Sequence, residues 1–141
     1  MKSTSSTDYQ IDFSTKSSTS KQSISKPRFR DKPLEVRSKK YKELMNKPEN
    51  KNRLPIICEL HQMSTLGVRS DLKFLTHEKM ILKNFQGSIR KKLNFKDDVV
   101  LFFYQGKTVL KNDQTLGDLY SKFKAEDGFL YLQFSEINAL G

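Results

Sequence analysis

The order of apolar patterns along this chain predicts an α+β fold in which a mixed sheet wraps around one helix. Three observations carry the prediction. Two strand-like runs follow each other closely, an amphipathic helix comes next, and further strand-like runs lead to the end of the sequence. A length of 141 residues favours one folded domain.

The N-terminal part of the chain is predicted to stay outside that domain. Residues 1–25 contain nine serines and four threonines with few apolar side chains. Such a segment buries too little apolar area to offset the entropy lost on ordering. We therefore predict a disordered Ser/Thr/Lys-rich tail over residues 1–33.

A short amphipathic helix is predicted next, from Leu34 to Asn46. Pro48 ends it, and residues 34–52 together form an N-terminal helical segment and its link. Its apolar side chains fall roughly on one face, whereas lysine, arginine and glutamate cover the other. The residues of the apolar face are Leu34, Tyr41, Leu44 and Met45.

The first two strands are predicted at residues 53–60 and 71–76, joined as a hairpin. Alternation places Cys58 on the buried face of the first strand, where a thiol is usually an inert small hydrophobe. By the same alternation, Ile57 and Leu75 fall on the opposite face from Cys58 and Phe74.

A central helix follows, because apolar residues recur at every fourth position between residues 81 and 93. Gly87 lies inside this helix and suggests a closely packed neighbour there. Strands are then predicted at 99–104, 108–110 and 129–134, with a short helix at 115–123. A hairpin, one crossover helix and further strands fold as a ubiquitin-like β-grasp over residues 53–135. Residues 136–141 are predicted to be a flexible C-terminal tail.

The net charge of +10 is concentrated in one segment. Residues 26–53 hold eleven lysines and arginines against four acidic residues. This segment could meet nucleic acid, anionic lipid or acidic peptides, or it could be a solvated charged helix. Only Phe29 and Tyr41 supply aromatic rings within it, so nucleic acid is not the expected partner.

No pattern of catalytic or cofactor-binding residues stands out. The chain has one cysteine and two histidines, His61 and His77, without partners at motif spacing. It has no phosphate-binding glycine motif and no paired cysteine motif. We expect no enzyme activity, no cofactor and no metal. Apolar runs are too short to span a bilayer or to serve as a secretion signal.

Six short motifs in register resemble the autophagy ubiquitin-like modifiers, the GABA-receptor-associated-protein family with its yeast and plant relatives. The resemblance begins at Arg53 and places the family's reactive glycine on Gly141. Residues 34–52 are similar to the family's N-terminal helical region, and residues 1–33 have no counterpart. The motifs are Arg53-Leu54-Pro55-Ile56-Ile57-Cys58-Glu59, Lys73-Phe74-Leu75, Ile89-Arg90-Lys91-Lys92, Leu101-Phe102-Phe103, Leu119-Tyr120 and Glu126-Asp127-Gly128-Phe129-Leu130-Tyr131.

The resemblance implies conjugation of Gly141 to phosphatidylethanolamine. The implied partners are activating and conjugating enzymes of the autophagy pathway, a deconjugating cysteine protease, and a membrane that contains phosphatidylethanolamine. The implied location is the cytoplasm and, after lipidation, the autophagosomal membrane. Some relatives are made with residues after the glycine. This sequence has none, so it is either made ready for activation or shown in its trimmed form.

The resemblance also implies capture of cargo receptors through short motifs of the form aromatic-x-x-aliphatic, flanked by acids. The peptide would add a strand beside residues 73–76. The aromatic-anchor set, which would hold the aromatic residue, is Leu44, Pro55, Ile57, Lys73, Leu75 and Phe129. The aliphatic-anchor set, which would hold the aliphatic residue, is Phe74, Thr76, His77, Met80, Phe85 and Ser88. The acid-contact set is Arg53, Lys73, Arg90, Lys91 and Lys92.

This sequence departs from the family in the aliphatic-anchor set. Thr76, His77 and Ser88 replace apolar residues, so this pocket is expected to be more polar and less demanding of a large aliphatic anchor. Lys40 also falls near where an acid often lies. The alternative function is a non-conjugated β-grasp adaptor whose basic segment binds an acidic filament, nucleic acid or a membrane surface. Loss of Gly141 would abolish the function of a conjugated modifier, whereas an adaptor would keep its function.

Overall fold

The structure is a computed structural model, and it describes residues 8–9, 28–61, 64, 71–96 and 98–136. A six-stranded mixed sheet has the strand order β1-β3-β2-β6-β4-β5. The strands are β1 (Asp8–Tyr9), β2 (Arg53–Leu60), β3 (Leu72–His77), β4 (Phe102–Gln105), β5 (Thr108–Val109) and β6 (Leu130–Ser135). The helices are α1 (Leu34–Met45), α2 (Leu82–Leu93) and α3 (Leu116–Phe123), with 3₁₀ turns at Phe29–Asp31 and Pro48–Asn50.

The centre of the sheet is the parallel pair of β2 and β6, in which Ile57 lies beside Tyr131. β2 also pairs antiparallel with β3, and β6 pairs antiparallel with β4. The predicted hairpin and the predicted ubiquitin-like β-grasp are therefore confirmed. The turn between β4 and β5 contains Gly106 at φ 64°, a left-handed conformation that two-residue hairpin turns favour.

Alternation in the central strands divides the buried apolar residues between two faces. On one face, α2 and α3 cover the main core: Ile56, Cys58, Leu72, Phe74, Leu82, Phe85, Ile89, Leu101, Phe103, Leu110, Leu116, Leu119, Leu130, Leu132 and Phe134. The other face carries a smaller group, the α1-face cluster: Phe29, Leu44, Ile57, Leu75, Phe129 and Tyr131. Tyr41 and Met45 of α1 pack against this cluster.

The N-terminal segment differs most from the sequence prediction. Much of the predicted tail lies outside the described residues, but two parts of it are ordered elements. Asp8–Tyr9 forms a strand on β3, and Phe29 is only 6% exposed, within a 3₁₀ turn ahead of α1. The prediction of disorder through residue 33 is therefore wrong for these parts. It failed because local composition carries no information about a single aromatic residue that is buried by distant partners.

Two smaller expectations are also corrected. Leu34 does not share the buried face of α1, because it is 39% exposed. Gly87 has no close neighbour, since a Cβ placed there would meet nothing within 4 Å. The glycine that does permit a close approach is Gly128, at φ 101°, where a Cβ would lie 2.5 Å from the ring of Tyr41.

Candidate functional site

The candidate site is the outer edge of β3. On its inner side β3 pairs with β2 from Leu72 to His77. On its outer side, the only strand within the described ranges is β1, which reaches only two positions of β3. An edge strand presents backbone N–H and C=O groups to which another strand can bond. The β3 edge can therefore accept an extended segment.

The structure brings most of the aromatic-anchor set together on one face of this edge. Four of its members, Leu44, Ile57, Leu75 and Phe129, belong to the α1-face cluster and are almost completely buried. The other two lie in the adjoining strands. Pro55 is buried in β2 opposite Leu75, and the half-exposed Lys73 lies opposite Ile57.

This face is closed in the structure. The ring of Phe29 contacts that of Phe129 edge-on, with ring centroids 5.1 Å apart, and Tyr41 contacts Phe129 in the same way at 5.8 Å. An aromatic anchor could enter only if some of these side chains moved. The α1-face cluster is therefore closed to an aromatic anchor in this structure.

Most of the aliphatic-anchor set lies on the opposite face, around the start of α2, whereas His77 shares the face of Leu75 by alternation. Phe74 and Phe85 are part of the main core, with ring centroids 5.0 Å apart. Met80 packs against the main core, and His77 is half-buried at the end of β3. These residues would form the floor and rim of a shallow site.

Polar side chains lie among these apolar residues. Ser88 is 8% exposed and Thr76 is completely buried. Within the described part of the chain, the Oγ1 atom of Thr76 has no hydrogen-bond partner. A buried hydroxyl without a partner costs about 1–3 kcal/mol.

The acid-contact set is only partly grouped. Arg53 and Lys73 belong to the paired strands β2 and β3. Arg90 instead donates hydrogen bonds to Gln86 Oε1 at 3.1 Å and to the carbonyl of Val99 at 3.2 Å, which ties α2 to the segment before β4. Lys91 and Lys92 are exposed in the last turn of α2.

A polar network that the sequence did not reveal holds the N-terminal segment against the α1-face cluster. Arg37 forms an ion pair with the buried Asp127 at 2.7 Å, and Asp127 also accepts a hydrogen bond from the hydroxyl of Tyr131. Arg30 forms a bidentate pair with the buried Glu59, with Nε 2.9 Å from Oε2. Glu59 could be found only by noting a charged residue inside a predicted strand, and no such signal marks Asp127.

Two further contacts complete this attachment. The backbone N–H of Phe29 donates to Asp71 at 2.9 Å, and Arg28 lies 3.6 Å from the same carboxylate. Burial raises the pKa of Asp71, although the Phe29 hydrogen bond opposes this shift. Burial also raises the pKa of Tyr131 well above its usual value, and the hydrogen bond to Asp127 adds to that effect.

Other sequence predictions fall on groups away from this edge. Cys58 is completely buried, and burial raises the pKa of its thiol. The described residues contain no group of three or more His, Cys, Asp or Glu side chains that could hold a metal ion. Among the helices described, none has the length and apolar character to cross a membrane. Gly141 lies outside the described residues.

Comparison with known proteins matches this chain to one family. Residues 36–141 match the family model described as "Autophagy protein Atg8 ubiquitin like". The crystal structure of Trypanosoma brucei ATG8 is 33% identical, with a TM-score of 0.67, and the match covers 76% of this chain and 90% of that one. Plasmodium falciparum Atg8, solved in complex with a Plasmodium falciparum Atg3 peptide, is 23% identical with a TM-score of 0.65 over 79% and 98% of the two chains.

Proposed function

The chain belongs to the Atg8 family of autophagy-related ubiquitin-like proteins, and we propose that Gly141 is its point of conjugation to phosphatidylethanolamine. The observation that carries this proposal is the extent of the family match, which runs through residue 141. A glycine has no Cβ, so it can enter a narrow enzyme channel and leaves its carbonyl open to attack. The folded domain that precedes Gly141 would provide the surface that the pathway enzymes bind.

The proposed chemistry is acyl transfer in three steps. The Gly141 carboxylate attacks the α-phosphate of ATP and releases pyrophosphate, which gives an acyl adenylate. A cysteine thiolate of the activating enzyme displaces AMP, and the acyl group then passes to a cysteine of the conjugating enzyme. The lipid amine attacks this thioester carbonyl, the thiolate leaves, and an amide remains.

In this scheme the reactive cysteines belong to the partner enzymes, and the chain itself is not an enzyme. Its own Cys58 is buried in the main core, with a raised thiol pKa, so it is a poor nucleophile. The product would carry two acyl chains, which anchor a protein stably where a single chain binds only marginally. We therefore propose that the conjugate lies on autophagosomal membranes and the free protein in the cytoplasm. A cysteine protease would cleave the amide bond to the lipid and release the free protein.

The first test is the intact mass of the protein after incubation with Atg8-pathway activating and conjugating enzymes, ATP and phosphatidylethanolamine liposomes. We expect a gain of one lipid less one water for the native chain and no gain for Gly141→Ala. Gly87→Ala is the matched control, since a Cβ there meets nothing within 4 Å. No gain for the native chain would overturn the proposal and favour the non-conjugated adaptor.

We also propose that the β3 edge captures acidic peptides with aromatic and aliphatic anchors. The two anchor sets lie mainly on opposite faces of β3. In an extended strand, residues three apart also lie on opposite faces. An aromatic-x-x-aliphatic peptide added beside β3 would thus present one anchor to each set. The Plasmodium relative was solved with an Atg3 peptide, and we propose that cargo receptors and the conjugating enzyme use this edge here.

The polar groups of the aliphatic-anchor set should weaken the demand for a large aliphatic anchor. A test compares two acidic peptides, one with the core Trp-Glu-Glu-Leu and one with Trp-Glu-Glu-Ala. We expect the ratio of their dissociation constants to be smaller for the native chain than for Thr76→Val/Ser88→Val. Equal ratios in the two proteins would contradict this specificity. A native chain that binds neither peptide would contradict capture itself.

A further inference from the structure

The strand β1 occupies part of the edge to which the proposed peptide would bind. Asp8 pairs with Thr76 and Tyr9 pairs with Leu75, in antiparallel register. The outer N–H and C=O groups of a strand can bond one neighbouring strand at a time. A peptide that extended along residues 73–76 would therefore have to displace β1.

The residues of β1 have the chemistry proposed for the peptide. Asp8-Tyr9 is an acid followed by an aromatic residue, within a segment otherwise rich in serine and threonine. Directly opposed residues of an antiparallel pair share one face of the sheet. Position 9 thus falls on the face of Leu75, which is the face of the aromatic-anchor set.

Two further observations bear on the pairing of β1 with β3: the burial of Leu75 and the length of chain that joins β1 to the folded domain. Leu75, the residue that pairs with Tyr9, is completely buried, and the contacts that close the aromatic-anchor set are those of Phe29 and Tyr41 with Phe129. The connection from β1 to the folded segment at Arg28 is residues 10–27. A tether of that length keeps the strand at roughly millimolar effective concentration, which is enough for a weak contact to compete.

We propose that Asp8–Tyr9 is an internal competitor that occupies the β3 edge and lowers the affinity of the chain for acidic aromatic peptides. This inference rests on the proposed peptide capture. When the closed form exceeds the open form by about tenfold, the apparent affinity is about tenfold weaker than that of the open edge. Peptides with more anchors than the two residues of β1 would still displace it.

The sequence offers a matched control for this proposal. Asp12-Phe13 is a second acid–aromatic pair in the same segment. The variants Asp8→Ser/Tyr9→Ser and Asp12→Ser/Phe13→Ser change charge and aromatic content equally, and only the first changes residues of β1. The probe is a fluorescent acidic peptide with the core Trp-Glu-Glu-Leu, titrated into each full chain. We expect a dissociation constant about three- to tenfold lower for the first variant and no change for the second.

A second measurement, made without peptide, separates this inference from peptide capture. Consecutive N–H groups of β3 point alternately to β2 and to β1, so only one of Leu75 and Thr76 has its amide on the β1 side. Hydrogen exchange at that amide should become faster in Asp8→Ser/Tyr9→Ser and stay as in the native chain in the control. Equal exchange in all three proteins would overturn the inference, whatever the peptide does. Faster exchange with equal peptide affinities would show a strand that does not compete, which also overturns it. If exchange responds as expected but no protein binds the peptide, peptide capture has failed and the competitor role fails with it.

Discussion

The two faces of the sheet are stabilised in different ways. The main core joins the sheet to α2 and α3 mainly through apolar side chains. The α1-face cluster has six buried residues, and ion pairs from Arg28, Arg30 and Arg37 surround it. Burial of apolar area responds little to salt, whereas partly exposed ion pairs do. The comparison predicts that one face maintains the fold and that the other opens more easily.

The largest difference should come from removing one phenylalanine from each face. Phe85→Ala creates a cavity in the main core and should lower the free energy of unfolding by about 3–5 kcal/mol. Phe29→Ala should cost less, about 1.5–3 kcal/mol, because its loss frees the N-terminal segment and leaves the sheet intact. Urea unfolding measures both effects. Equal losses would mean that the two faces unfold as one unit.

Breaking the buried ion pair tests how far charge stabilises the α1 face. Arg37→Ala leaves Asp127, which is 2% exposed, without its cation. We expect a loss of about 2–3 kcal/mol, and a smaller loss in high salt. Lys39→Ala removes an exposed cation from the same helix and should change stability by less than about 0.5 kcal/mol. Similar losses for the two variants would contradict a specific role for the Arg37–Asp127 pair.

The pH dependence of stability at alkaline pH should report on the α1 face through Tyr131. The pKa of Tyr131 is raised in the folded chain, so the unfolded chain releases this proton first as the pH increases. Its stabilisation is fully present below about pH 10, the usual tyrosine pKa, and is lost above it.

The variant Tyr131→Phe tests whether Tyr131 causes the predicted loss of stability at alkaline pH. The native chain should lose up to about 1.4 kcal/mol per pH unit above pH 10 from this group, and the variant should show a flatter profile. The measurement is the free energy of unfolding from pH 8 to pH 11. Parallel profiles for the two proteins would rule out Tyr131 as the cause.

The smallest expected effect is a gain in stability from the variant Gly87→Ala. Gly87 lies inside α2, where a Cβ would meet nothing within 4 Å. Gly87→Ala should therefore raise the free energy of unfolding by about 0.5–1 kcal/mol through helix propensity alone. Thermal unfolding would detect this gain. A loss would indicate a contact at this position that the structure does not show.

The sequence predicted the main core much better than the α1 face. The periodicity of α2 and the alternation in β2 are local signals, and β2 has its predicted bounds, Arg53–Leu60. The α1-face cluster depends on contacts between distant residues, such as Phe29 with Phe129. No local pattern marks Phe29 or Asp127 as buried, and a two-residue strand such as β1 has no periodicity to detect.

The candidate site was likewise predictable only in part. The family resemblance selected residues that the structure gathers on the two faces of β3. It did not indicate that Phe29 would close one of these faces together with Tyr41, because Phe29 lies in the segment that composition assigned to a tail. Composition describes the average behaviour of a segment, and a single well-partnered side chain can depart from that average.

The central position of β6 has a mechanical consequence. β6 lies between β2, which runs parallel to it, and β4, which runs antiparallel. A force that pulls on the chain beyond Ser135 acts along β6 and loads the hydrogen bonds to both neighbours in shear. Bonds loaded in shear share the force, whereas a strand peeled from an edge breaks them one at a time. A pulling force on the C-terminal end of the protein would therefore be shared by the hydrogen bonds on both sides of β6.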